Sequence, residues 1–280
     1  MGREENIMVY KDTMRQCKEN NRIKTSTEYS AKQQKLILEK DDIVVEKRDI
    51  YEEAAKLIVS KKRSYEAASA YKGRKVCVLN FASATNPGGG VESGSSAQEE
   101  CLCRCSNLYP CLKTKELWEG FYQPHRGMQN PIHNDDIIYT PDIIVFKSDT
   151  ANPKLLPENE WYQVNVITCA APNLRERPSN TFNTGDGSKS VKITDKELKE
   201  LHEKRLRRIL DVAYMEENEV VILGAFGCGA FCNKPEVVAL AAKNVISEYK
   251  RMFQVIEFAV YCSPRDDTNY KVFKRVLNFD

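Results

Sequence analysis

Adjacent carboxylates, Glu99 and Glu100, follow a triple glycine in the stretch Gly88-Gly89-Gly90-Val91-Glu92-Ser93-Gly94-Ser95-Ser96-Ala97-Gln98-Glu99-Glu100. Glycines lack a Cβ, so their backbone can take positive φ and approach a sugar or phosphate within hydrogen-bonding distance. Ser95 and Ser96 lie three residues before Gln98 and Glu99, the spacing of a capping box, which predicts a helix with both carboxylates in its first turn. Successive helical residues are about 100° apart, so the two carboxylates are expected to point in different directions, one holding a hydroxyl and the other moving a proton. The same residues also fit a surface loop leading into a helix whose acidic first turn complements its dipole.

A second glycine turn, Gly224-Ala225-Phe226-Gly227-Cys228-Gly229-Ala230-Phe231, lies between the apolar run Val220-Val221-Ile222-Leu223 and Pro235, a residue suited to a helix's first turn. Backbone N–H groups at such a junction favour an anion. The turn lacks the Lys and Ser/Thr of a P-loop and the G-x-G-x-x-G order of a dinucleotide fold. In an open α/β sheet, ligands bind beyond the carboxyl ends of the strands. Two glycine turns after two buried strands can therefore flank one crevice, with a diphosphate on the second turn and a ribose on the first.

The elements that must position these turns read as alternating strands and helices. Val76-Cys77-Val78-Leu79-Asn80-Phe81-Ala82 is a buried strand running into the triple glycine. Helical stretches are expected at Glu5 to Asn20 and Glu28 to Lys40, an amphipathic helix at Ile50 to Tyr71, and a helix from the glutamates to about Gly120. Loops are expected at His125 to Asp135 and Asn180 to Ser190, and strands at Ile137 to Tyr139, Ile143 to Phe146 and Gln163 to Ala170. A helix from Thr194 to about Glu217, the Pro235 helix to about Arg251, a strand from Val255 to Cys262 and a helix from Asn269 to Leu277 complete the chain. This alternation argues for an α/β fold, a three-layer α/β/α sandwich with a mixed, mostly parallel sheet. It divides into an N-terminal helical extension over 1–48 and a catalytic domain over 49–280.

Composition excludes several classes. With 42 basic and 40 acidic residues among 280, there is no global field to recruit nucleic acid or an anionic membrane. No apolar run reaches the roughly 18 residues of a membrane span, and the first residues carry no signal-peptide core. Ile7 stands where a myristoylation site after Gly2 wants Ser or Thr. An intracellular, soluble and by default cytoplasmic protein is expected, with its ten cysteines as thiols. Cys101, Cys103, Cys105 and Cys111 fall in the expected glutamate helix without the turn-borne Cys-x₂₋₄-Cys spacing of structural zinc, so they read as small buried hydrophobes. His125, His133 and His202 lie far apart, without metal-ligand spacing.

Phe81-Ala82-Ser83-Ala84 before Asn86-Pro87-Gly88-Gly89-Gly90, the triplet Gln98-Glu99-Glu100, and Gly227-Cys228-Gly229-Ala230-Phe231 with Asn233 and Pro235 behind it together resemble the microbial, bacterial-type poly(ADP-ribose) glycohydrolases of the macrodomain superfamily. The resemblance implies that Glu100 is the catalytic acid, Glu99 holds the ribose being cleaved, and Gln98 orders the loop. It implies substrate contacts at Asn86, Gly88, Gly89, Gly90 and Val91. Backbone contacts of Gly227, Cys228, Gly229 and Ala230 to the diphosphate, and packing of Phe231 on the bound ribose, follow in the same way. The implied substrate is poly(ADP-ribose) or ADP-ribosylated protein and the implied product ADP-ribose, cut from chain ends with no cofactor and no metal. Such a bond breaks through an oxocarbenium-like state, and its departing 2′-oxygen needs a proton that a carboxylic acid of raised pKa can supply. The usual second catalytic carboxylate of glycosidases is not evident. Competing readings are an ADP-ribose-binding reader without turnover, a hydrolase of single ADP-ribosyl units, and, from another class, a cysteine-rich zinc-binding or redox interaction protein.

Overall fold

The computed structural model describes residues 2–180 and 184–278. Helices α1 (Arg3–Glu19) and α2 (Asn21–Gln33) lead into strands β1 (Lys35–Ile37) and β2 (Lys56–Ser60), short helix α3 (Ser64–Ala68), and strand β3 (Val76–Phe81). After the triple glycine come α4 (Gln98–Cys105), α5 (Leu108–Leu112), α6 (Lys115–Leu117), a π-helical turn at Trp118–Tyr122, and α7 (Gln123–Met128). Strands β4 (Ile137–Val145) and β5 (Tyr162–Cys169), helix α8 (Asp195–Met215), strand β6 (Val220–Leu223), helix α9 (Pro235–Ile246), strand β7 (Val255–Ala259) and helix α10 (Thr268–Leu277) complete the order.

The seven strands form one sheet, β1-β4-β5-β3-β6-β7-β2. It is parallel from β5 through β3, β6 and β7 to β2 and antiparallel where β4 meets β5 and β1 meets β4. β3 lies at the centre with both faces buried: Cys77 and Leu79 pack with α8, α9 and α10, whereas Val76 and Val78 pack with α3, α4 and α5. Its near-continuous apolar run follows from helices covering both sides. The result is the expected three-layer α/β/α sandwich with a mixed, mostly parallel sheet. No helix among the described residues is long and apolar enough to cross a membrane.

Several expected elements differ. No helix spans Ile50 to Tyr71. Lys56–Ser60 is instead an edge strand whose parallel partner β7 is remote in sequence, and Ala54 is exposed. Only Ser64–Ala68 of that stretch forms an α-helix, the short α3, entered where the Arg63 N–H donates to Glu66 Oε2. The second N-terminal helix begins and ends earlier than expected. Asn20 caps it by accepting from the Ile23 N–H, and its tail turns into β1 on the sheet edge.

The glutamate helix stops at Cys105 rather than near Gly120. Ser106 is extended and bridges to Val145, and Asn107 Oδ1 accepts from the Ile144 N–H, so the chain docks on β4 before short helical turns resume. The expected loop from His125 to Asp135 begins inside α7, and His125, His133, Asp135 and Asp136 are buried. Nor is the Asn180 to Ser190 segment merely a solvated connection, although 181–183 lie outside the described residues. Asp186 is buried, accepts from Thr85 Oγ1 and Asn173 Nδ2, and lies 3.2 Å from His133 Nε2.

Candidate active site

β3 ends at Phe81 and delivers the chain into a turn against which the Glu99 and Glu100 carboxylates lie. Gly88 and Gly89 adopt positive φ (66° and 60°), and a 3₁₀ turn at Val91–Ser93, with Val91 fully buried, leads back toward α4. No serine caps α4: Ala97 is its N-cap, without a side-chain bond. Both serine carbonyls are engaged, Ser95 O accepting from Arg104 and Ser96 O facing the Cys101 thiol. Gln98 orders the turn, donating from Nε2 to Leu79 O and Ser64 Oγ and accepting at Oε1 from the Phe81 N–H.

Glu99 and Glu100 take different partners, Asn80 and Ser83 for the first and Gly90 for the second, yet both carboxylates also lie close to one glycine. A Cβ on Gly89 would lie 2.5 Å from Glu100 Oε1 and 3.1 Å from Glu99 Oε2. Long side chains in a first helical turn can fold back on the preceding loop, and the absent Cβ makes the room. Glu99 is held at both oxygens, Oε1 accepting from Asn80 Nδ2 at 3.2 Å and Oε2 from the Ser83 N–H at 2.8 Å. Glu100 is held at one, Oε1 accepting from the Gly90 N–H at 2.9 Å, while its buried Oε2 has no hydrogen-bond partner among the described residues.

Burial raises the pKa of both glutamates, and the Glu100 charge raises Glu99 further, to about 8. The folded state therefore keeps the Glu99 proton to about pH 8, whereas the unfolded chain releases it near 4.5. With fewer protons on the unfolded state across that window, folding loses stability as pH rises from 4.5 to 8. Glu99→Gln removes the titration, so the decline in melting temperature between pH 5 and pH 8.5 is expected to be visibly shallower in this variant; an unchanged slope would show that Glu99 titrates normally.

The carboxylates open onto a cleft of about 1080 Å³ that runs across the carboxyl ends of the parallel strands. Gly227, Gly229, Ala230 and Phe231 of the second turn line it opposite the glutamates, so both sequence motifs meet in one crevice. Gly227 has positive φ (78°) and sits against Ala171 and Asn233, whereas a Cβ on Gly229 would meet nothing within 4 Å. Cys228, half-buried, packs against the core and does not line the cleft. Asn233 anchors the turn from below: Nδ2 donates to Pro172 O, Gly227 O and Phe231 O, and Oδ1 bonds His202 Nε2 at 2.8 Å. Asn86 faces away from the main cleft, with Oδ1 accepting from Arg126 and Nδ2 donating to Thr184 O.

Other cleft residues were not singled out from sequence. Arg63 follows β2 and Tyr261 follows β7, and the guanidinium lies 3.9 Å from the tyrosine ring centroid. Arg175 and Asp149 also line the cleft, Asp149 with its pKa raised to about 6 by burial. The rule that ligands gather beyond strand carboxyl ends would have found Arg63 and Tyr261. Cys103, Cys105 and Cys111 are buried and all ten thiols are free. No cluster of three or more His, Cys, Asp or Glu among the described residues is arranged to hold a metal.

The family described as microbial-type PARG, catalytic domain, matches residues 3–148. No curated protein matches significantly. Among solved structures, poly(ADP-ribose) glycohydrolase from Thermomonospora curvata is 25% identical over 98% of this chain and 99% of its own, with a TM-score of 0.83. The form of that protein bound to the inhibitor ADP-HPD is 27% identical over 97% of this chain and 99% of its own, at 0.79. Poly(ADP-ribose) glycohydrolase from Deinococcus radiodurans, in complex with ADP-ribose, is 28% identical over 90% and 96%, at 0.74.

Proposed function

The chain belongs to the microbial-type poly(ADP-ribose) glycohydrolase family, and from that membership we propose how its own residues split the ribose–ribose O-glycosidic bond and release ADP-ribose. Glu100 is the acid. The observation that carries this assignment is the contrast between two buried carboxylates: Glu99 accepts from a fixed donor at each oxygen, while Glu100 has one oxygen spare. A group fixed by a donor at each oxygen is suited to orient a ribose hydroxyl through a remaining lone pair; one with a free oxygen is suited to give up a proton.

In this reading Glu100 protonates the departing 2′-oxygen as the C1″–O bond breaks and positive charge develops on the ribose. Water then adds to C1″, returning its proton to Glu100, and ADP-ribose leaves with a new hydroxyl there. The Gly227, Gly229 and Ala230 backbone holds the diphosphate, Cys228 contributes main chain only, and Phe231 packs on the ribose. Gly88, Gly89, Gly90 and buried Val91 shape the turn beneath the sugar, and Asn86 secures that turn to Arg126 and Thr184. Residues 1–48 serve the 49–280 unit as a brace: Asn6 Nδ2 donates to Gly94 O and Thr13 Oγ1 to Arg104 O, tying α1 to both ends of the catalytic segment. The resemblance to the microbial branch favours cuts at chain ends.

Incubation with purified poly(ADP-ribose) tests the proposal. Free ADP-ribose should accumulate from the earliest times without a burst of oligomers. Tight ADP-ribose binding with no release would leave a reader and overturn it. A narrower expectation concerns Asn233. Burial holds His202 neutral, its pKa lowered to about 4, so Asn233 accepts from a ring that does not charge near neutral pH. Asn233→Ala removes the side-chain donor shared by three carbonyls, leaving Gly227 O and Phe231 O with only the backbone N–H groups of Asn233 and Leu174, and ADP-ribose affinity measured by calorimetry should fall about tenfold.

A further inference from the structure

Behind the glycine turn, away from the glutamates, lies a second cavity of about 600 Å³, the size of a nucleotide-scale site. Gly89 and Gly90 line both cavities, so the turn is a wall one backbone thick. Its absent side chains show the two faces: a Cβ on Gly88 would strike the Tyr109 ring at 2.5 Å, and one on Gly89 would strike Glu100 at 2.5 Å. Trp118, 40% exposed, lines the cavity with Lys113 and Lys115, and the Arg126 guanidinium lies over its ring at 5.8 Å from the centroid, a contact that a stacking base would share or displace. Lys113 pairs with Glu92 and Lys115 with Glu119, both at the surface, where such pairs are weak and readily exchanged for a phosphate. An exposed aromatic face flanked by cations takes a nucleobase and its phosphates without reading sequence.

We infer that this second cavity is the subsite for the departing side of the polymer, its adenine stacked on Trp118 and its diphosphate held by Lys113 and Lys115. The inference rests on the proposed function. Of the two ADP-ribose units joined by the bond under Glu100, one fills the main cleft. The other carries the leaving 2′-oxygen, and this cavity adjoins the main cleft across Gly89 and Gly90. A single ADP-ribose would not touch it.

The test reads binding without turnover. In a Glu100→Gln background, calorimetry compares a dimer of ADP-ribose with ADP-ribose itself. The dimer is expected to bind about tenfold more tightly, a gain that a single base stack supplies. Adding Trp118→Ala should erase most of that gain, and Lys115→Glu, at a side chain 80% exposed, should reduce it without truncating a packed ring, while affinity for ADP-ribose stays unchanged in both. Equal affinity for dimer and monomer, or a gain that survives both substitutions, overturns the inference. Failure of the proposed function would show separately, as no ADP-ribose release by the unmodified protein.

Discussion

Replacing Glu100 with glutamine is expected to lower the rate of ADP-ribose release by about a thousandfold, within the ~10²–10⁴ that a positioned acid contributes. Glutamine nearly preserves the shape of the side chain, and its Oε1 can still accept from the Gly90 N–H that fixes Glu100 in place. What it cannot do is release a proton to the departing oxygen. Affinity for ADP-ribose should therefore persist, which separates lost chemistry from a lost fold. The pH profile adds a second readout. Burial raises the Glu100 pKa, so activity of the unmodified protein should fall along an alkaline limb that begins above the ordinary carboxylate range. In the variant that limb should vanish. A variant retaining a tenth or more of the activity would mean that the proton comes from elsewhere.

Gly89→Ala should be nearly as damaging, although it removes no functional group. The residue sits at φ 60°, where an L side chain is strained, and the added methyl would overlap Glu100 Oε1 at 2.5 Å and crowd Glu99 Oε2 at 3.1 Å. Either the turn moves or the carboxylates do. Release of ADP-ribose is expected to fall by about a hundredfold, since misplacement by roughly an ångström costs that much, with a loss of about 1–3 kcal/mol in stability from backbone strain. Gly229→Ala is the matched control for stability, because its Cβ meets nothing within 4 Å and its φ is not positive. Comparable melting temperatures for the two variants would show that the turn at Gly89 is looser than the structure has it.

The parts legible in the sequence are those where one physical requirement dominates. β3 and β6 are covered on both faces, so Val76 to Phe81 and Val220 to Leu223 read as uninterrupted apolar runs, and the glycines after each announce a tight approach. Thr194 and Glu197 form a capping box that starts α8 where the sequence places it. β2 was hidden because Leu57, Ile58 and Val59 are only half-buried at a sheet edge and their pairing partner lies near the other end of the chain. The serine cap before α4 failed because a local pattern lost to a tertiary one: the side chains that would complete a box are drawn to the end of β3, Gln98 to Leu79 O and the Phe81 N–H, and Glu99 to Asn80 and the Ser83 N–H. The remainder of the cleft is harder to read for a related reason: Arg63, Asp149, Arg175 and Tyr261 come from four separate loops and share no spacing, so only the rule that ligands gather beyond strand carboxyl ends points to any of them.

The wiring of that sheet edge also sets a schedule for synthesis. β2 pairs only with β7, and at ~5–20 residues per second the roughly two hundred residues between them take about 10–40 s to emerge from a ribosome. Throughout that interval Leu57, Ile58 and Val59 lack the strand they pair with, and an unpaired apolar segment of this kind is open to pairing with other chains. Protection by chaperones matters most for this early segment, and a premature stop before Val255 would leave β2 without a partner and β6 with one open side.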